Sequence, residues 1–176
     1  MAAVVWITGL PCSGKTTVAR ALEEYLEPTN IFPVVIDGDD IREGLCSDLG
    51  FSEADRIENN RRVAELACIL AGIDITPIVA TISPTDSIRR KVKKIIKSKG
   101  YEYIEVFTQC SLGTCIKRDT KGMYRRAKKK ELKNFTGISD SFEVPRNPDI
   151  IVNTEEDSID DIVDEIIVYL TNFLAI

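Results

Sequence analysis

The stretch Gly9-Leu10-Pro11-Cys12-Ser13-Gly14-Lys15-Thr16-Thr17 has the spacing G-x-x-x-x-G-K-T, and its flanks decide the fold. Ala3-Val4-Val5-Trp6-Ile7-Thr8 before it reads as a buried strand, and a helical pattern begins at Thr16. Strand, glycine-rich turn and helix N-terminus in that order make a phosphate-binding loop. Gly9 and Gly14 allow the backbone to turn consecutive N–H groups around one anion, and the helix end adds partial positive charge. Lys15 is then placed to reach the β- and γ-phosphates of a nucleotide, and the Thr16 hydroxyl to ligate Mg²⁺. An ordinary strand-to-helix turn needs one glycine, not this pair followed by Lys-Thr.

Outward from the loop, apolar runs alternate with amphipathic helical patterns. The strands expected are Ala3–Thr8, Pro33–Ile36, Ile75–Ile82, Tyr103–Thr108 and Asp149–Val152, several of them continuously apolar as in strands covered on both faces. The helices expected are Thr16 to Leu26 with Val18, Leu22, Tyr25 and Leu26 inward, and Glu53 to Ala71 with Ile57, Val63, Leu66, Ala67 and Leu70 inward. A third, Asp86 to Ser98, stops at Gly100, and a last one starts at Ser158 with Asp161 three residues on. This order, with the phosphate loop after the first strand, predicts an α/β fold: a single P-loop NTPase-type domain over 1–176, with a mainly parallel five-stranded sheet and helices on both faces. Residues 117–136, strongly basic and weakly apolar, read as a mobile surface lid.

Composition narrows the partners. The formal net charge is −5, yet Thr85 to Asn134 holds sixteen Lys/Arg against five Asp/Glu, whereas Glu155 to Glu165 holds seven acids and no base. An acidic chain with one basic region suits a small polyanion better than nucleic acid or a membrane. The five cysteines form no CxxC pair and there is no His, so reduced thiols are expected rather than a metal site. No signal peptide is read ahead of the first strand, and no apolar run reaches the ~18 residues of a membrane span. A soluble cytoplasmic protein is the expectation.

The phosphate loop does not name the group that receives the phosphoryl. Without His, a general base for a hydroxyl acceptor must be a carboxylate. The third strand ends Thr81-Ile82-Ser83-Pro84 with no acid, but the second ends Val35-Ile36-Asp37-Gly38-Asp39-Asp40 at the sheet edge that faces the crevice. Asp39 is the candidate to take the proton or orient the hydroxyl, and Asp37 the candidate to support it or the metal's water shell. The competing reading of this stretch is a solvated turn in which an Asp caps the next helix.

Further blocks resemble one family, the adenylylsulfate (APS) kinases. They are Gly9 to Thr17, Asp37 to Leu45, Leu49 to Val63, Ile82-Ser83-Pro84, Arg118 to Tyr124 and Phe135 to Ile138, in the family's order from about residue 4 to 154. The resemblance implies transfer of the ATP γ-phosphoryl to the ribose 3′-hydroxyl of adenosine 5′-phosphosulfate, giving PAPS and ADP, with Mg²⁺. It implies that Arg118 joins the phosphate loop in holding ATP, and that Asp39, Arg42, Phe51, Arg56, Asn59, Ile82, Ser83, Lys121 and Phe135 contact APS; family members often form dimers, so a homodimer is compatible with the resemblance, which does not fix the oligomeric state. Ser83 stands where the family has a serine that can be phosphorylated; direct in-line transfer needs no such intermediate. Two departures stand out: Glu43 replaces a frequent His, and Ser139-Asp140-Ser141-Phe142 replaces a "DDPY" pattern.

The residues around Phe51 support this. Ser52 with Asp55 caps the second long helix, but the staple partner of Phe51 would be Arg56, which is not apolar. A ring without its usual packing reason, beside Arg56 and Asn59 on one helix face, suits a purine and its anionic tail. Phe135 can face Phe51 across that purine when the basic segment closes. Two other readings remain open from the sequence: a related kinase for another nucleotide-linked acceptor, and a nucleotide-gated nucleic-acid module using the basic segment.

Overall fold

A computed structural model describes residues 3–132 and 134–174; Lys133, within the basic stretch, lies outside them. Five parallel strands, β1 (Ala3–Thr8), β2 (Phe32–Asp37), β3 (Ile75–Ala80), β4 (Glu102–Gln109) and β5 (Ile150–Asn153), form one sheet in the order β2-β3-β1-β4-β5. The helices are α1 (Lys15–Leu26), α2 (Gly38–Glu43), α3 (Glu53–Ala71), α4 (Asp86–Ser98), α5 (Leu112–Arg118), α6 (Met123–Lys128) and α7 (Ile159–Leu170). The five expected strands and four long helices are present, with ends shifted by one or two residues.

β1 is central and wholly buried. Alternation along it sorts the core in two: Ala3, Val5 and Ile7 pack with Leu22 of α1 and Ile166 of α7, while Val4 and Trp6 pack with Val63 of α3 and Val92 of α4. This double cover explains why the strand reads as a continuous apolar run. All strands point the same way, so the loops after β1, β2 and β3 gather at one edge.

Three expectations are corrected. Tyr25 is 44 % exposed at the end of α1, not in the core. The buried face of α3 is rotated from the one its aliphatic residues suggest: Arg56, Asn59 and Asn60 are buried with Val63, Ala64 and Ala67, whereas Ile57, Leu66 and Leu70 are only partly buried. The first two turns of this helix line a cleft rather than a core, which is why its inward face is polar. The segment 117–136 is not a loose cover. It contains the end of α5 and all of α6, and the fully buried Tyr124 donates its hydroxyl to the Pro11 carbonyl at 3.0 Å, tying it to the phosphate loop.

Gly9 sits where β1 meets β4. A Cβ here would lie 2.2 Å from Thr108 Oγ1 and 2.9 Å from the Thr108 carbonyl oxygen. Backbone cannot yield as a side-chain tip can, so Gly9→Ala should cost about 1–3 kcal/mol. A urea-denaturation midpoint unchanged from wild type would show that the loop shifts freely.

Candidate active site

The loops at the C-terminal edge of the sheet enclose a cleft of about 770 Å³. Pro11, Cys12, Gly14, Lys15, Thr16 and Thr17 of the phosphate loop line one part, and Arg42, Phe51, Arg56, Asn59, Phe135 and the Ile82-Ser83-Pro84 turn line another. Asp37, Asp39, Lys121 and Arg118 face the same cavity. Gly9, Leu10 and Ser13 do not line it. Ser13 Oγ lies 2.7 Å from Thr108 Oγ1 beneath the loop, and the Leu10 side chain packs against the small cluster around Cys115 and Tyr124.

The loop has the shape its spacing implies. Gly14 adopts the left-handed conformation at φ 91 as it enters α1, where a side chain would be strained. Lys15 folds back over the loop and donates to the Leu10 carbonyl at 2.6 Å. Burial lowers its pKa to about 8, because a desolvated ammonium is costly.

One carboxylate joins the phosphate loop to the acidic turn. Asp37 is the last residue of β2 and the N-cap of α2, accepting from the Asp39 amide on Oδ1 at 2.8 Å. Its other oxygen, Oδ2, accepts from Thr16 Oγ1 at 2.6 Å. The capping and functional readings of Asp37-Gly38-Asp39-Asp40 are therefore compatible: the cap of α2 also fixes Asp39 relative to Thr16. The Asp39 side chain is exposed, and its Oδ2 accepts from Lys121 Nζ at 2.7 Å.

At the aromatic part, Phe51 is 49 % exposed, with the Arg42 guanidinium 4.4 Å from its ring centroid. Arg42 is held by the Gly50 carbonyl at 2.9 Å. Arg56 is buried; its Nε donates to the Phe51 carbonyl at 3.1 Å and its NH2 to the Asn134 carbonyl, linking helix α3 to the segment that carries Phe135. Phe135 is braced edge-on against Tyr124, with ring centroids 5.0 Å apart. Asn59 Oδ1 and Thr136 Oγ1 are buried without a hydrogen-bond partner among the described residues, and both residues line the cleft. Such orphaned groups are expensive unless a ligand satisfies them.

Ser83 is placed differently from a phosphorylation site. It is 1 % exposed, and its hydroxyl is engaged by Trp6, Thr81 and Asn60. A phosphate there would have to dismantle a buried network.

Sequence reasoning missed Thr136, Asn60, Thr154, Asp157 and Ile159, all of which line the cleft. Thr154 Oγ1 donates to the Ser13 carbonyl at 2.8 Å, and Arg118 donates to the Thr154 carbonyl and, at 3.3 Å, to its hydroxyl. Its position just past the C-terminal end of a parallel strand was the available signal.

A family profile described as adenylylsulphate kinase matches residues 1–153. The chain belongs to that family. An adenylyl-sulfate kinase of Marinobacter nauticus is 45% identical over 167 residues, 95% of this chain and 83% of the relative. Another, of Thermodesulfovibrio yellowstonii, is 48% identical over 155 residues, 88% of this chain and 76% of the relative. The Mycobacterium tuberculosis APS kinase CysC, solved in complex with AMPPNP and APS, superposes with a TM-score of 0.94 at 40% identity, covering 97% of this chain and 98% of that one. The chain is thus an ATP-using phosphotransferase with adenylyl-sulfate kinase activity, on the α/β P-loop kinase fold expected from its sequence. Among the described residues, no helix is long and apolar enough to cross a membrane.

Proposed function

We propose that the parts of this cleft divide the substrates, ATP on the phosphate loop and adenosine 5′-phosphosulfate on Phe51, with Asp39 acting where they meet. The observation that carries this reading is the Asp37 carboxylate, which bonds Thr16 on one oxygen and the Asp39 amide on the other. It holds the base in register with the phosphoryl donor.

Lys15 then meets the β- and γ-phosphates in place of the Leu10 carbonyl, and Arg118 with Thr154 borders the nucleotide. A magnesium ion fits the donor set at Thr16 and Asp37: a hydroxyl and a carboxylate 2.6 Å apart are hard oxygen donors. No group of three or more acidic, Cys or His residues able to cage a metal occurs among the described residues, which suits an ion shared with substrate phosphates. When bound, Mg²⁺ would neutralise charge on the transferring phosphoryl.

The acceptor purine stacks on Phe51, with Phe135 braced by Tyr124 on the other side of the cleft; Asn59 Oδ1 and Thr136 Oγ1 gain the partners they lack. Arg42 and Arg56 offer positive charge to the phosphosulfate. Lys121 pairs with Asp39 in the free chain, and the anionic acceptor competes for its ammonium, releasing Asp39. The freed carboxylate takes the 3′-hydroxyl proton as the O3′–Pγ bond forms and the bond from Pγ to the β,γ-bridging oxygen breaks, leaving ADP. Phe135, on a segment held to the phosphate loop through Tyr124 and to α3 through Arg56, covers the acceptor and excludes water from the γ-phosphoryl.

A coupled ADP-release assay tests the acceptor. Turnover is expected with APS and not with 5′-AMP, which lacks the sulfate that the arginines meet; equal turnover with both overturns the assignment. Phe51→Ala should raise the KM for APS ten- to a hundredfold, taking base stacking at about 1–3 kcal/mol. A rise confined to the KM for ATP would mean that the two parts of the cleft are exchanged.

A further inference from the structure

We infer that Trp6 and Asn60 are positioning residues for the acceptor, acting through the Ser83 hydroxyl. This rests on the reading that APS occupies the Phe51 part of the cleft. Trp6 lies in the central strand, fully buried, and its indole Nε1 donates to Ser83 Oγ at 2.9 Å. Ser83 Oγ donates in turn to Asn60 Oδ1 at 2.7 Å. Thr81 Oγ1 lies 2.8 Å from the same hydroxyl. The Thr81 hydroxyl also lies 3.4 Å from Asn60 Oδ1, so Thr81, Ser83 and Asn60 form one buried cluster around the Ser83 hydroxyl. Asn60 passes the chain on, its Nδ2 donating to the Arg56 carbonyl at 2.8 Å.

The chain of bonds therefore runs from the strand that feeds the phosphate loop, through the turn after β3, to the helical turn that carries Arg56 and Asn59. Those are separate walls of the acceptor region, and hydrogen bonds between them fix their spacing. Ser83 itself has φ 42, a left-handed conformation sparsely populated by residues other than glycine. Such backbone persists where its surroundings over-determine it. Here three contacts on the hydroxyl and one on the carbonyl, from Arg89 NH1 at 2.9 Å, do so. Val4, Val63, Val79 and Ile88 belong to the buried cluster that Trp6 joins, so packing alone could have closed this layer with apolar side chains. A polar network in its place specifies one geometry of the turn.

The test is a double-variant cycle on the full chain. Trp6→Phe should raise the KM for APS about three- to tenfold, the usual range for one buried hydrogen bond, and Asn60→Ala at least as much, since it also removes the bond to the Arg56 carbonyl, with the KM for ATP within twofold of wild type in both. Combined, they should raise it no more than Asn60→Ala alone, because Trp6 reaches the α3 wall through the Ser83–Asn60 bond that this variant has already removed. Trp6 is the only tryptophan, so its indole N–H gives a single isolated ¹H–¹⁵N resonance. Asn60→Ala should move that resonance, although Asn60 reaches the indole only through Ser83. The inference is overturned if the two KM values rise together, if the single effects multiply, or if the resonance stays in place. Should Trp6→Phe not fold, the kinetics of Asn60→Ala and the resonance decide alone. Wild type insensitive to Phe51→Ala would fail the acceptor-site reading itself; wild type sensitive to it, with Asn60→Ala silent, fails only the positioning role.

Discussion

Lys15→Ala should lower kcat about a thousandfold or more, the scale expected when a donor aimed at developing transition-state charge is removed. The fold should survive. Lys15 is 9 % exposed, and deleting it both relieves the desolvation cost of its ammonium and removes the bond to the Leu10 carbonyl, two effects of opposite sign. A Tm within a few degrees of wild type with turnover lost is the expected pair of results. A rate within tenfold of wild type would remove Lys15 from the phosphate site.

The same residue sets a pH dependence. With a folded pKa of about 8 against an ordinary 10.5, the free chain binds fewer protons at Lys15 than the unfolded chain between those values. Its contribution to stability therefore rises with pH across that window. Nucleotide capture runs the other way, since phosphates need the ammonium. The kcat/KM for ATP, which reports the free enzyme, should fall about tenfold per pH unit above pH 8. Bound phosphates hold the proton on, so kcat should stay level to higher pH. Lys15→Arg should abolish the break; a break that persists belongs to another group.

The framework was legible because its signals are local. The buried run Ala3–Thr8, the paired glycines and the capping residues Ser52 and Ser158 each fix structure within a few positions, and each is found where it was expected. What was hidden depends on distant partners. The tilt of α3 could not be read from Ile57, Leu66 and Leu70, because what chooses its inward face is the cleft that Arg56 and Asn59 line. Tyr124, inside a lysine-rich stretch, gives no sign in the sequence that its hydroxyl will meet Pro11, 113 residues earlier. Ser83 shows the limit of motif reading: its position in a family pattern suggests a phosphorylation site, whereas its surroundings give its oxygen three structural contacts. Thr136 and Thr154 are single threonines whose roles exist only once the strands are assembled.

Asp39→Asn separates chemistry from binding. Asparagine keeps the size and a carbonyl that can accept from Lys121 but cannot take the 3′-hydroxyl proton, so kcat should fall about 10²–10⁴-fold, the usual contribution of a general base. Both KM values should remain within about threefold of wild type, since Asp37 caps α2 through the Asp39 amide and that bond survives the substitution. The Lys121 pair does not explain a loss of that size through instability. Both side chains are about two-thirds exposed, and such pairs contribute at most about 1 kcal/mol. Lys121→Ala should separate the two roles further, raising the KM for APS while lowering kcat far less than Asp39→Asn. If Asp39→Asn instead retains kcat and loses affinity for ATP, Asp39 belongs to the metal's surroundings, and the hydroxyl gives up its proton without a protein base.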